Sequence, residues 1–171
     1  MADFHSIWLM PRGDDAALFE DLVARLAARF GTEPFIPHLT LVGDMRRSAE
    51  DLAVILEDGF AGEAGFGAAI AEIVAGPSFF RSLYAAFRPA GRLLDLKRIA
   101  VERFGTGDVG SFMPHVSLAY GVPEAAGATA IAELSTLLAG RIVQFDAMVV
   151  TASAQSIPIR DWAIVHRHRL P

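Results

Sequence analysis

The length, composition and charge of the chain exclude several classes of protein. Its 171 residues suit one domain, and 53% of them are hydrophobic, which is ample for a packed interior. There is no cysteine, so disulfides, thiolate metal sites and cysteine nucleophiles are excluded, and the net charge of −5 argues against a long nucleic-acid ligand.

Taken in chain order, the hydrophobic pattern predicts strands that alternate with helices. The first strand covers residues 4–10, and a helix over residues 14–30 follows, ending at Gly31. Next come a strand over 38–42 and a helix that Ser48 caps. The later elements are strands over 66–74 and 82–88, a helix over 92–104, a strand within 112–121, a helix over 124–138, and strands over 141–151 and 162–170.

We expect a monomer in a reducing cytoplasm, with no membrane partner. The first residues, MADFHSIWLMPRGDD, lack a basic leader and a small-residue cleavage site. No apolar run approaches the roughly 18 residues that are needed to cross a bilayer. A small anionic ligand in a local pocket is compatible with the charge of the chain.

One short strand sequence occurs twice. The stretch FIPHLTLVG returns 77 residues later as FMPHVSLAYG, which pairs His38 with His115 and Thr40 with Ser117. Two copies at so long a period are typical of a duplicated fold and not of a solenoid. We therefore predict an α+β fold in which residues 1–171 form a single domain of two similar lobes. Two mainly antiparallel sheets would surround a central cleft about a pseudo-twofold axis, with the helices outside.

The doubled motif favours a functional site over a structural one. In each copy the histidine and the hydroxyl residue are two positions apart, so both point to one face of a strand. Any half-exposed antiparallel strand alternates polar and apolar residues, so a single His-x-Thr would carry little information. Two copies of the same residue types, after Pro37 and Pro114, are harder to explain by exposure alone.

Two imidazoles and two hydroxyls suit an in-line displacement at phosphorus. One histidine would take a proton from the attacking oxygen, and the other would protonate the leaving oxygen, near neutral pH. The two hydroxyls would stabilise the charge that develops on the non-bridging oxygens. The near symmetry of the motifs leaves the roles open. Two hints, Tyr120 and the loop that ends at Ser111, favour His115 as the base and His38 as the acid.

These residues carry a family resemblance. PHLTL and PHVSL resemble the paired His-x-Thr/Ser signatures of the 2H (two-histidine) phosphoesterase superfamily. The segments HSIWLMP, PSFFRSLY, FMPHVSLAYG and DWAIVHRHRLP are similar to its cyclic phosphodiesterase branch. The resemblance implies a bilobal fold, no metal or other cofactor, and hydrolysis of small cyclic phosphates. Examples are ADP-ribose 1″,2″-cyclic phosphate and nucleoside 2′,3′-cyclic phosphates, the latter opened to 2′-phosphates.

The resemblance also implies a set of site residues. The catalytic set is His38, Thr40, His115 and Ser117. The substrate-binding set is Tyr120, Trp8, Phe79 and Arg81. Arg81 stands where the plant members carry a neutral residue, which leaves its role open. Of the neighbours Phe79 and Phe80, one is expected to face the ligand, and the match favours Phe79.

Two further patterns are interpreted as structural. GTGDVG, at residues 105–110, matches GxGxxG, but it follows a helix and precedes a strand, which is the reverse of the dinucleotide-binding arrangement. We expect a mobile loop beside the cleft. His166 and His168 alternate with arginines and have no acidic partner nearby in the sequence, so a solvated strand face is favoured over a metal site.

Two alternative functions fit the same residues. A nucleotide-binding module without turnover is less favoured, because binding alone would favour arginine or lysine, which are always charged. An RNA-end-processing enzyme of the same superfamily, such as an RNA 2′,3′-cyclic phosphodiesterase or a 2′-5′ RNA ligase-like protein, would place the chain in RNA metabolism. The acidic charge and the lack of a basic run argue against a long RNA. The expected partner is a small cyclic-phosphate nucleotide.

Overall fold

The computed structural model describes residues 4–171, and within that range seven strands form one antiparallel sheet. The strands are β1 (Phe4–Pro11), β2 (Leu39–Arg46), β3 (Phe66–Ser78), β4 (Arg81–Phe87), β5 (His115–Ala119), β6 (Ile142–Ala152) and β7 (Ala163–Arg169). The helices are α1 (Gly13–Phe30), α2 (Ala49–Gly59), α3 (Gly91–Phe104), α4 (Glu124–Ala128) and α5 (Ile131–Leu138), and a 3₁₀ turn at Ile159–Asp161 precedes β7. The predicted α+β class with antiparallel strands is confirmed.

Six of these strands close into a ring. The sheet order is β1-β2-β5-β4-β3-β6-β7, and β1 also pairs with β6. The first part of β6 pairs with β3, and its second part pairs with both β1 and β7. The two repeated strands, β2 and β5, are neighbours that meet through the pair Leu39 and Val116. The division into two similar lobes stays a prediction.

Local signals place most of the helix ends correctly. The helix α1 ends at Phe30 because Gly31 adopts a left-handed φ of 67°, which costs glycine little, and donates its N–H to the carbonyl of Ala27. The helix α2 begins after Ser48, whose hydroxyl accepts a hydrogen bond from the backbone N–H of Asp51. Both boundaries agree with the sequence prediction.

The single helix predicted over residues 124–138 is wrong, because the structure has two short helices there. Gly127 lies against the sheet, where an added Cβ would be 3.4 Å from the Ser82 carbonyl oxygen. Glycine also weakens a helix interior. The break lets α4 and α5 each pack against β3.

The sheet separates the main core from the face that carries the site. The side chains that fill the main core include those of Ile7 and Leu9 in β1, both fully buried. Trp8 points to the opposite face, where it packs with Met10, Ala147 and Val149. No helix between residues 4 and 171 has both the length and the hydrophobicity that a membrane span requires.

Candidate active site

The pairing of β2 with β5 brings the two motifs together. Leu39 lies opposite Val116 in an antiparallel register, and both side chains are fully buried in the core. Because side chains alternate along a strand, the histidine and the hydroxyl residue of each motif point to the opposite face. All four motif side chains line one cavity on that face, with a volume of about 480 Å³.

The antiparallel register crosses the two motifs. Continued by one residue on each side, the register of Leu39 with Val116 sets His38 opposite Ser117 and Thr40 opposite His115. Residues opposite each other in such a register have Cβ atoms about 4.5–5.5 Å apart. This register sets each histidine across from the hydroxyl residue of the other motif, and all four side chains line the same cavity.

Both imidazole rings are oriented in the same way. Nδ1 of His38 donates to the carbonyl of Ile36 at 2.6 Å, and Nδ1 of His115 donates to the carbonyl of Met113 at 2.8 Å. A carbonyl only accepts, so Nδ1 carries the hydrogen in each ring. Nε2 is then the nitrogen that can take up a proton when the ring is neutral, or give one when it is charged.

Burial favours the neutral form of both rings. It lowers the pKa of His38 to about 4, against an opposing effect of the Ile36 carbonyl, and the charge of His115 lowers that pKa further. Burial also lowers the pKa of His115, the Met113 carbonyl opposes this, and the Arg81 guanidinium adds to the lowering. A bound anionic phosphate would raise both pKa values, because an opposite charge stabilises imidazolium.

Aromatic side chains flank both histidines. Trp8 lies face to face with His38, with ring centroids 3.5 Å apart and planes at 8°. Tyr84, which was not predicted, meets His115 at 5.2 Å and 61°. The negative face of an indole stabilises a cation stacked on it. The stack on Trp8 therefore favours a protonated His38, whereas the burial of that ring disfavours it.

Ser117 and Tyr120 form a buried part of the cavity wall. The Ser117 hydroxyl donates to the carbonyl of Phe80 at 3.2 Å. Tyr120 stacks on Phe35 with ring centroids 3.8 Å apart. Burial raises the pKa of the Tyr120 hydroxyl, against a smaller opposing effect of a hydrogen bond with Ser117. Tyr120 thus keeps its proton and can act as a hydrogen-bond donor.

Three of the four predicted substrate-binding residues line the cavity: Trp8, Arg81 and Tyr120. Phe79 is not among the lining residues; it lies in the turn between β3 and β4, is 55% exposed and packs against Gly121. Phe80 lines the cavity in its place. One of the two neighbours lines the cavity, and it is Phe80 and not Phe79. The substrate-binding role of Phe79 stays a prediction.

Trp162 lies in the cavity wall although it is distant from both motifs in the sequence. Its ring stacks on Phe80 at a centroid distance of 5.9 Å and meets Trp8 edge-on at 5.8 Å. Its Nε1 donates to the carbonyl of Ile157 at 3.0 Å, which holds the ring in place. The chain contains two tryptophans, and both line the cavity. Because tryptophan is rare in this chain, its presence at position 162 could have indicated a cavity residue.

The far end of the cavity is polar. It is lined by Lys97 of α3 and by residues of the loop between α3 and β5, namely Thr106, Gly107, Asp108 and Ser111. The Asp108 carboxylate accepts hydrogen bonds from the backbone N–H groups of Gly110 and Ser111, at 3.2 and 3.1 Å. The GTGDVG segment does follow a helix and precede a strand beside the cavity. Its mobility stays a prediction.

The C-terminal histidines do not form a solvated strand face, so that interpretation is wrong. The Glu57 carboxylate of α2 contacts Nε2 of His166 at 2.7 Å and Nδ1 of His168 at 2.8 Å. These hydrogen bonds lower the pKa of Glu57. His168 is only 8% exposed. The acidic partner is 109 residues from His166, which is why the local sequence did not reveal it.

The fold is that of the 2H phosphoesterase superfamily. The structure is similar to that of LigT from E. coli, with a TM-score of 0.60 and 17% identity over 99% of both chains. It is also similar to a protein of Thermus thermophilus, with a TM-score of 0.61 and 16% identity over 98% of this chain and 97% of that one. LigT has been crystallised with 3′-AMP, ATP and NADP⁺.

The chain belongs to the family of cyclic phosphodiesterase-like proteins, whose model matches residues 1–169. It is 22% identical over 118 residues to the cyclic phosphodiesterase of Arabidopsis thaliana. That match covers 69% of this chain and 65% of the plant protein.

Proposed function

We propose that the protein is a metal-independent phosphodiesterase that hydrolyses small cyclic phosphates of nucleotides. The observation that carries the proposal is that His38, Thr40, His115 and Ser117 line one cavity, on either side of the pair of Leu39 with Val116. This arrangement offers a single phosphate two proton-transfer groups and two hydroxyl donors. The candidate substrates are nucleoside 2′,3′-cyclic phosphates, opened to 2′-phosphates, and ADP-ribose 1″,2″-cyclic phosphate.

In the proposed reaction, Nε2 of His115 removes a proton from water as the water oxygen attacks phosphorus. The bond from phosphorus to one ring oxygen breaks in line, and Nε2–H of His38 protonates that oxygen. The product is an acyclic phosphomonoester, and His115 is left protonated while His38 is left neutral. Thr40, and Ser117 once its hydroxyl turns away from the Phe80 carbonyl, would donate hydrogen bonds to the non-bridging oxygens as these gain charge.

The comparisons support this class of substrate. The family and the plant relative are both named for cyclic phosphodiesterase, and LigT, which shares the fold, binds small nucleotides. A volume of about 480 Å³ is in the range of small-molecule sites. The rings of Trp8, Phe80 and Trp162 would offer apolar surface to a nucleobase. The monomeric state and the cytoplasmic location stay predictions.

Turnover of adenosine 2′,3′-cyclic phosphate in excess EDTA tests the proposal. We expect hydrolysis to continue, because histidine side chains transfer the protons. His38→Ala and His115→Ala should each lower kcat roughly 10²-fold or more, the usual value of general acid or base catalysis. Thr40→Ala and Ser117→Ala should each cost roughly 10²-fold. His166→Ala is the matched control and should keep full activity, because His166 contacts Glu57 on the surface.

Several outcomes would contradict parts of the proposal. Activity that chelation removes and a divalent ion restores would rule out the metal-independent mechanism, and a fully active His38→Ala protein would rule out the paired one. Phosphorus NMR that shows only the 3′-phosphate would contradict the expected product. Faster turnover of an oligonucleotide that ends in a cyclic phosphate would favour the RNA-end alternative. Tight binding without turnover would indicate a non-catalytic module.

A further inference from the structure

The chain contains a single lysine, and the fold buries it in the wall of the cavity. Lys97 is 7% exposed and lines the cavity together with residues of the loop between α3 and β5. Lysine is almost never fully buried unless it is paired, because an ammonium loses its hydration there. The position of Lys97 therefore requires a partner that offsets this cost.

The protein itself supplies only part of that partner. Nζ of Lys97 donates a hydrogen bond to the carbonyl of Leu41 at 2.5 Å and lies 5.1 Å from the centre of the Phe112 ring. An ammonium has three N–H groups. Within the part of the chain that the structure describes, the Leu41 carbonyl is the one acceptor that they reach. Two donors thus remain for a ligand.

The acidic side chains beside Lys97 are held by other donors. Burial lowers the pKa of Lys97, and the charge of Asp108 opposes this to a smaller extent. Its carboxylate accepts from the backbone N–H groups of the loop residues Gly110 and Ser111. The Asp44 carboxylate accepts from the backbone N–H of Gln155 at 3.3 Å. The ammonium is thus a buried positive charge at the edge of a cavity, without a contacting carboxylate among residues 4–171.

Lys97 lies beside the part of β2 that follows the first motif. It contacts the carbonyl of Leu41, which is one residue beyond Thr40 and three beyond His38. An extended strand rises about 3.3 Å per residue, so Leu41 is roughly 10 Å from His38 along the strand. The cavity wall continues past Leu41 to Asp44, which gives room for a second phosphate of the same nucleotide beside Lys97.

We infer that Lys97 binds a second phosphate of the substrate and makes the protein selective for nucleotides that carry one in addition to the cyclic phosphate. The inference rests on the proposed function. The free N–H groups of the ammonium would form charge-assisted hydrogen bonds with this anion. The loop between α3 and β5 lies directly beside this ammonium: a Cβ added at Gly107 would be only 3.3 Å from Nζ of Lys97. The loop therefore forms part of the wall around the proposed second phosphate.

A pair of substrates that differ by one phosphate tests the inference. These are adenosine 2′,3′-cyclic phosphate and the same compound with a 5′-phosphate. We expect Lys97→Met to raise KM for the 5′-phosphorylated compound roughly tenfold or more, the value of a hydrogen bond to a charged group, and to change KM for the other less than twofold. Lys97→Arg keeps the charge and should retain most of the preference.

The outcomes separate this inference from the proposed function. If the wild-type protein hydrolyses neither compound, the proposed function fails. If it hydrolyses both, and Lys97→Met weakens both equally or neither, Lys97 has a structural role and the inference is overturned.

A measurement on the unaltered protein avoids any folding defect of the variants. Lys97 carries the one side-chain amine of the chain, so acylation of its peptide can be followed by mass spectrometry. Adenosine 2′,5′-bisphosphate should slow this acylation severalfold more than adenosine 2′-phosphate does at equal occupancy. Equal protection by the two compounds would overturn the inference, because they differ only in the second phosphate.

Discussion

His38 and His115 occupy the same motif position but different environments. His38 is 6% exposed and stacks on Trp8, whereas His115 is partly exposed and lies near Tyr84 and the charge of Arg81. Both differences arise outside the motifs, in β1 and β4. The strands that flank the two histidines therefore give equivalent motif positions different environments.

The pH dependence of kcat/KM should reflect the lowered pKa values of the free pair. In the proposed mechanism the active form has one protonated and one neutral histidine, and it is most populated between the two pKa values of the pair. Burial lowers both below the ordinary value of 6.5. We therefore expect a bell whose maximum lies below pH 6.5 and whose basic limb falls towards neutral pH. Initial rates at low substrate concentration measure it.

Two comparisons check the cause of that shift. The profile of kcat should have its maximum at higher pH, because the bound anion raises both pKa values. Arg81→Gln removes a charge that lowers the pKa of His115, so its basic limb in kcat/KM should move to higher pH. A kcat/KM maximum above pH 7 would contradict neutral histidines in the free cavity.

The different environments also give a test of which histidine is the acid. We propose His38, because its stack on Trp8 stabilises the imidazolium once an anion offsets the cost of burial. An activated aryl phosphodiester has a leaving group that needs little protonation. With this substrate, His38→Ala should recover part of its activity and His115→Ala should not. Recovery of His115→Ala alone would reverse the assignment.

At the scale of the elements, Asp15 ties α1 to β6. Its buried carboxylate accepts from Nε of Arg141 at 3.0 Å and from the backbone N–H of Gln144 at 2.9 Å. Asp15→Ala leaves both donors without this acceptor, and hydrogen bonds to charged groups contribute about 1.5–3 kcal/mol each. Since Arg141 is partly exposed, we expect the free energy of unfolding to fall by about 2 kcal/mol in urea titrations.

Asp14 provides the matched control for this substitution. It lies in the same helical turn but is exposed. Asp14→Ala should change the free energy of unfolding by less than about 0.5 kcal/mol, as is usual for surface positions. Equal effects of the two substitutions would indicate a general electrostatic effect on the helix and not a specific tie between α1 and β6.

The ends of the helices differ in how far the local sequence can predict them. The end of α1 at Gly31 and the cap of α2 at Ser48 depend on groups within a few residues, and both were predicted. The break between α4 and α5, at residues 129–130, was not, because it accompanies the packing of both helices against the distant strand β3. The periodicity of the segment indicated one continuous helix, and contact with the sheet overrode it.

At the scale of the whole molecule, the ring of strands does not follow the repeat in the sequence. The strand β6 comes after both copies of the motif, yet it pairs with β1 and β3, which precede the second copy. Trp162, beyond β6, also reaches the cavity wall. The C-terminal part of the chain therefore completes a site whose motifs lie far upstream.

The catalytic proposal could be made from sequence because the alternation of side chains in a strand is a local property. The spacing within each motif is enough to place His38 with Thr40, and His115 with Ser117, on one face. The crossing of the motifs, the choice of Phe80 over Phe79 and the entry of Lys97 into the cavity are not local. They depend on which remote elements pack together. A side chain is buried, and a charged group loses its hydration, only when segments that are distant in the sequence exclude water from it.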